Sequence, residues 1–147
     1  AAIGAKMSRP DDEVVLVSGD GSFMMNVQEL GTLRRAQLPV KMVLLDNQRL
    51  GMVRQWQNLF YGQRYSATVL NDAVDFVKLA EAMGAEGVRV ATQEEFKEAF
   101  ANALKSGHPV VIDCQIDSDD KVWPMVAPGA PINEAFDEKD LEAKNAE

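Results

Sequence analysis

A three-layer α/β/α domain built on a mostly parallel sheet is the fold class predicted by this 147-residue sequence, and three observations predict it. Four short apolar runs, rich in β-branched residues, are separated by stretches that carry helical signals. The first run is apolar without interruption and the others carry only one or two polar residues, which is how a strand covered on both faces reads. Polar residues collect directly after the first two runs, where ligands bind in open parallel sheets.

In chain order, residues 1–6 read as the last turns of a helix, stopped by Ser8-Arg9-Pro10. A natural chain seldom starts in mid-helix without an initiator methionine, so the sequence is expected to be a fragment whose parent continues upstream. Residues 14–17, between Asp11-Asp12 and Gly19, form the first strand and should be buried on both faces. A helix is expected next, with Asn26 as N-cap, Glu29 three residues on, Leu30, Leu33 and Leu38 as its apolar positions, and Pro39 as its stop. Residues 40–45 are the second strand, ending at Asp46-Asn47, and 51–59 a further helix, followed by an irregular stretch over 62–71. Residues 75–83 are amphipathic and stop at Gly84, a usual residue just past a helix end. The third strand is 87–90, and Thr92 with Glu95 makes a capping box for a helix over 92–105. Gly107-His108-Pro109 leads into the fourth strand, Val110–Gln115. Pro124, Pro128, Gly129 and Pro131 precede a polar run over 137–147, so residues 1–130 are expected to form the domain and 131–147 a polar tail.

Composition narrows the function. Apolar residues make up 46% of the chain, enough for an ordinary core, and its length suits one domain. Fifteen basic residues stand against 23 acidic ones, a net charge of −8, so no basic stripe is available for nucleic acid or an anionic membrane. The single cysteine, Cys114, excludes a disulfide framework and fits a reducing compartment, and the expected location is the cytoplasm. No apolar run approaches the length of a membrane span, and residues 1–6 lack the features of a signal peptide.

Two strand ends carry the chemistry: Gly19-Asp20-Gly21-Ser22 after the first strand and Asp46-Asn47-Gln48 after the second. A dinucleotide fingerprint fails here, because Met24 occupies the third glycine position and Asp20 would repel a bare pyrophosphate. The absence of Gly-Lys-Ser/Thr excludes a P-loop. The carboxylate makes sense with a divalent cation between it and the phosphates. Magnesium takes few protein oxygens and fills the rest of its octahedron from water and phosphate. Asp20 offers a charged oxygen, Asn47 a neutral amide oxygen, and a backbone carbonyl just past Asn47 a third. The glycines allow close approach to phosphate, and Ser22 can donate a hydrogen bond near a helix N-terminus.

Gly19-Asp20-Gly21, followed after 25 intervening residues by Asn47, is similar to the GDG…N signature of thiamine-diphosphate enzymes. The resemblance narrows to the acetolactate synthase family through Gly-Asp-Gly-Ser-Phe-Met-Met-Asn at 19–26 and Asn-Gln-Arg-Leu-Gly-Met-Val-Arg-Gln-Trp-Gln at 47–57. Phe60-Tyr61, Arg64-Tyr65-Ser66 and Trp123-Pro124-Met125-Val126-Ala127-Pro128-Gly129 extend it over essentially the whole chain. It implies the thiamine-diphosphate-binding fold, with magnesium held by Asp20, the Asn47 side chain and the Arg49 carbonyl. It implies that Gly19, Gly21 and Ser22 line the diphosphate, that Leu50, Gly51 and Met52 lie along the cofactor, and that Met52 and Trp56 border the substrate channel. The activity implied is condensation of two pyruvates to 2-acetolactate, or of pyruvate with 2-oxobutanoate, in branched-chain amino acid biosynthesis. Implied partners are the other protomers of a homodimer or tetramer and a regulatory small subunit, with FAD bound by another domain of the parent. The glutamate that assists cofactor deprotonation belongs, in this family, to a partner subunit, so no catalytic residue is expected here and the fragment alone should be inactive.

Plainer readings stand beside these. Asp20 and Asn47, each taken alone, are also turn or cap residues. Met24, Met25 and Met52 are readable as packing, Trp56 as core or interface filler, and Asp46 as a structural residue pointing away from the ligand. His108, the one histidine, reads as a solvated or capping residue. Two other functions remain open: a related thiamine-diphosphate 2-oxo acid decarboxylase, and a non-catalytic phosphate-ligand-binding module.

Overall fold

The computed structural model describes residues 1–70 and 74–145; Asn71, which closes the expected irregular stretch, and the last two residues of the tail lie outside them. The chain divides into two compact units, one of Ala1–Arg49 with Val69–Ser118 and one of Leu50–Thr68 with Asp119–Glu147.

The first unit holds the sheet. Its strands β1 (Val15–Gly19), β2 (Lys41–Asp46), β3 (Glu86–Val90) and β4 (Val110–Gln115) are all parallel, in the order β1-β2-β4-β3. Helices α1 (Ala2–Ser8), α2 (Asp20–Met24), α3 (Glu29–Ala36), α5 (Phe76–Ala82) and α6 (Gln93–Lys105) belong to the same unit. Two cores separate the layers. On one face Phe23, Leu30, Leu33, Phe76 and Ala80 pack on Met42, Leu44 and Val111; on the other Phe96, Ala99, Phe100 and Ala103 pack on Val43, Val90, Ile112 and Cys114. This is the expected three-layer α/β/α arrangement.

The central strands β2 and β4 are buried as their composition demands, and the α6 capping box forms as read, with Thr92 Oγ1 accepting from Glu95 N–H and Glu95 accepting from Thr92 N–H. Lys41, fully buried, donates from Nζ to the carbonyls of Ser106 (2.6 Å) and His108 (3.0 Å). It thereby satisfies the C-cap carbonyl of α6 and ties the loop that follows to β2.

Two expectations are corrected. β1 is not buried on both faces: Val15 and Val17 are 41% and 61% exposed. β1 is an edge strand, and α6 packs on β3 and β4 at the other side of the sheet. The helix expected from Asn26 begins differently as well. The chain enters α2 at Asp20, directly after Gly19, then turns through 25–28 before α3 starts at Glu29 with no side-chain cap. Asn26 is not an N-cap; its carbonyl accepts from Glu29 N–H at 3.0 Å. Phe23 supplies the reason, since it anchors α2 in the core, edge-on to Phe76 at 6.0 Å between centroids. α3 ends at Gln37 in the left-handed region (φ 53), before Pro39 is reached.

The second unit is built on α4 (Gly51–Phe60) with a 3-10 turn (Ile132–Glu134) and α7 (Glu138–Asn145). The buried Gln55 clamps the Val122 backbone, donating from Nε2 to its carbonyl and accepting its N–H on Oε1, both at 2.9 Å. Phe136 packs edge-on against Phe60 and Trp123, and its backbone exchanges two 2.8 Å hydrogen bonds with Met125.

Candidate cofactor site

The register of β1 and β2 pairs Gly19 with Leu45, so the chain segments that leave both strands, Asp20 onward and Asp46 onward, emerge side by side. Gly19 is the N-cap of α2 and Asp20, Gly21 and Ser22 make its first turn, where a loop was expected. Asn47 Oδ1 accepts from Arg49 N–H at 3.0 Å, and Asp46 Oδ1 accepts from Gln48 N–H at 3.1 Å. Between them Gln48 sits in the left-handed region at φ 55. Arg49 then bridges antiparallel to Val69, and the Gln48 carbonyl accepts from Leu70 N–H at 2.9 Å. These bonds hold the Asn47–Arg49 turn in one conformation.

Asp20 is 4% exposed, and among the described residues no Lys or Arg lies in salt-bridge range of it. Burial raises its pKa, the backbone N–H of Gly21 opposes that, and the neighbouring Asp46 raises it further. A buried carboxyl beside a second one, with no cation, is an environment that a divalent ion would relieve. Asp46 lies beside Asp20 and is itself held by hydrogen bonds within the fold. Its Oδ2 accepts from Gln115 Nε2 at 2.9 Å, and the same nitrogen donates to Asp113 Oδ1 at 2.9 Å. Asp113 is fully buried and its Oδ2 accepts from Arg89 Nε at 2.9 Å. Burial raises the Asp113 pKa; Arg89 pulls it back, while Asp46 pushes it up.

In the second unit Met52 and Trp56, one helical turn apart on α4, share a cavity of about 480 Å³ with Val53, Gln57, Tyr61 and Arg64. Trp56 stacks edge-on to Phe60 at 5.7 Å. The two residues expected at the substrate channel thus line one hollow.

Residues 1–114 match the family described as thiamine pyrophosphate enzyme, C-terminal TPP binding domain. The chain belongs to that family. It is 53% identical over 137 residues to the acetolactate synthase isozyme 2 large subunit of Escherichia coli K12, covering 93% of this chain and 25% of that relative. It is 47% identical over 130 residues to the acetolactate synthase large subunit of Pyropia yezoensis, covering 88% and 22%. Among solved structures, a thiamine diphosphate-dependent 4-hydroxybenzoylformate decarboxylase of Rhodococcus jostii RHA1 superposes with a TM-score of 0.75 at 31% identity, over 82% of this chain and 23% of that one. The chain spans about a quarter of the length of the curated relatives it matches.

For a TPP-binding domain the donor set fits a magnesium ion. Among the described residues no three His, Cys, Asp or Glu side chains are grouped to hold a metal by themselves. What Asp20 on α2 and the Asn47–Arg49 turn offer together is one carboxylate with neutral amide and carbonyl oxygens, the short protein contribution that magnesium takes when phosphate and water complete its shell. Gly19 fits a ligand too: a Cβ there would meet nothing nearer than the Leu45 carbonyl at 4.0 Å, so the protein's own packing does not demand a glycine. The sequence reading missed Asp113, Gln115 and Arg89. A signal existed in Asp113, a carboxylate in the middle of the apolar run that forms β4. Among the described residues no helix is long and apolar enough to cross a membrane.

Proposed function

We propose that the chain is the thiamine-diphosphate- and magnesium-binding domain of an acetolactate synthase large subunit, whose parent condenses two pyruvates, or pyruvate and 2-oxobutanoate. One observation carries this reading: identity to acetolactate synthases reaches 53% over nearly the whole chain, against 31% to the decarboxylase. Asp20, the Asn47 side chain and the Arg49 carbonyl hold magnesium. Gly19, Gly21 and Ser22 border the diphosphate. Leu50, Gly51 and Met52 are assigned to the cofactor by the family resemblance, and Met52 and Trp56 to the acceptor substrate. Thiamine diphosphate, when bound, supplies the electron sink for decarboxylation. The residues of this chain bind, orient and exclude water; none of them is assigned a proton transfer. We place FAD on another domain of a cytoplasmic homodimeric or tetrameric parent, with a regulatory small subunit as a further partner, and read residues 1–130 as the domain and 131–147 as its tail.

The test is product analysis on the full-length chain supplied with pyruvate, magnesium, thiamine diphosphate and FAD. Acetolactate as the product is expected. Acetaldehyde in its place would move the function to a 2-oxo acid decarboxylase, the class of the solved relative, and no turnover with unimpaired phosphate-ligand binding would leave a non-catalytic module.

A further inference from the structure

Gln115 stands at the end of β4, opposite Asp46 in the β2–β4 register and two residues beyond Asp113 on the same face of the strand. Its amide nitrogen has two hydrogens and gives one to each carboxylate, Asp46 Oδ2 and Asp113 Oδ1, both at 2.9 Å. This orientation sets the amide nitrogen, the donor end, between the two carboxyl groups. Asp113 is anchored from behind by Arg89, which also reaches Asp75 Oδ1 at 3.0 Å. With Oδ2 taken, Asp46 presents Oδ1 to the N–H of Gln48, the residue held at φ 55, a conformation costly for a non-glycine. Gln48 is the link between Asn47 and Arg49. We propose that Gln115, acting through Asp46, is a positioning residue for the magnesium turn: it sets the carboxylate that fixes Gln48, and so the relative placement of the Asn47 amide oxygen and the Arg49 carbonyl.

This inference rests on the magnesium reading above, and its test separates the two. In the full-length chain at saturating thiamine diphosphate, magnesium is titrated while near-ultraviolet circular dichroism follows the bound cofactor. Gln115→Met removes the donor with little change of length, and Gln115→Glu replaces it with an acceptor. Loss of outer contacts of this kind weakens metal binding by about tenfold or more. Both variants are expected to shift the magnesium midpoint upward by that factor, with the signal returning at high magnesium. A purely structural glutamine would lower the melting temperature and leave the midpoint of the folded fraction where it was, which overturns the proposal. Should Gln115→Glu fail to fold, the neutral Gln115→Met decides alone. Asp20→Ala is the reference. If it shifts the midpoint and both Gln115 variants do not, the positioning role is wrong and the metal site stands; if Asp20→Ala does not shift it either, the magnesium reading itself fails.

Discussion

At Gly19 the backbone is extended, with φ −79 and ψ 159, and a Cβ would make only an ordinary contact with the Leu45 carbonyl at 4.0 Å. Neither conformation nor packing therefore asks for glycine, which agrees with the proposed approach of the diphosphate to this backbone. Gly19→Ala is expected to leave the melting temperature of the full-length chain within its error and to weaken thiamine diphosphate binding, as calorimetric titration would show. Equal binding would remove Gly19 from the site. The buried carboxyls make a second case. Asp113 has its pKa raised above the ordinary 3.8, first by burial. The folded state then holds a proton that the unfolded state releases, so this group's contribution to stability is lost as pH rises from 3.8 through the raised value. Asp75 and Glu95, lowered chiefly by backbone hydrogen bonds, act with the opposite sign and lose their contribution as pH falls. Asp113→Asn is expected to flatten the decline in stability above pH 3.8, measured as urea midpoints across a pH series. An unaltered slope would contradict the assignment.

Elements whose signals are local were legible in the sequence, and those fixed by distant contacts were not. β4 and the capping box of α6 follow from a mostly apolar, β-branched run and from a Thr-Glu pair three residues apart. The start of α2 depends on Phe23 meeting Phe76, 53 positions later in the chain, and no local pattern around Asn26 reports that. Gly87 shows the same limit. It reads as an ordinary strand residue, yet a Cβ there would stand 2.8 Å from the Val77 carbonyl oxygen and 2.9 Å from Val77 Cα, both of them α5 backbone. Backbone cannot swing aside as a flexible side chain can, so Gly87→Ala is expected to destabilise the full-length chain by about 1–3 kcal/mol. A melting temperature equal to that of the parent would show that α5 is free to shift.

At the scale of the whole molecule, the sequence predicted the layers but not the sheet order. Parallel strands with helical crossovers follow from the alternation of runs. The placement of β1 at an edge, with Val15 and Val17 exposed, is a matter of strand order that composition does not encode. Of the candidate site, Asp20 and Asn47 were legible as strand-end residues, and Met52 and Trp56 only through the family resemblance. The Asp46–Gln115–Asp113 chain was not, since it runs across two strands 69 positions apart. The proposed function requires that this fold hold thiamine diphosphate through a magnesium ion on Asp20. Calorimetric titration of the full-length chain with thiamine diphosphate, with and without magnesium and beside Asp20→Ala, tests it most directly. Tight binding that requires magnesium is expected in the parent and its loss in the variant; binding of equal strength in both, indifferent to magnesium, would take the metal off Asp20.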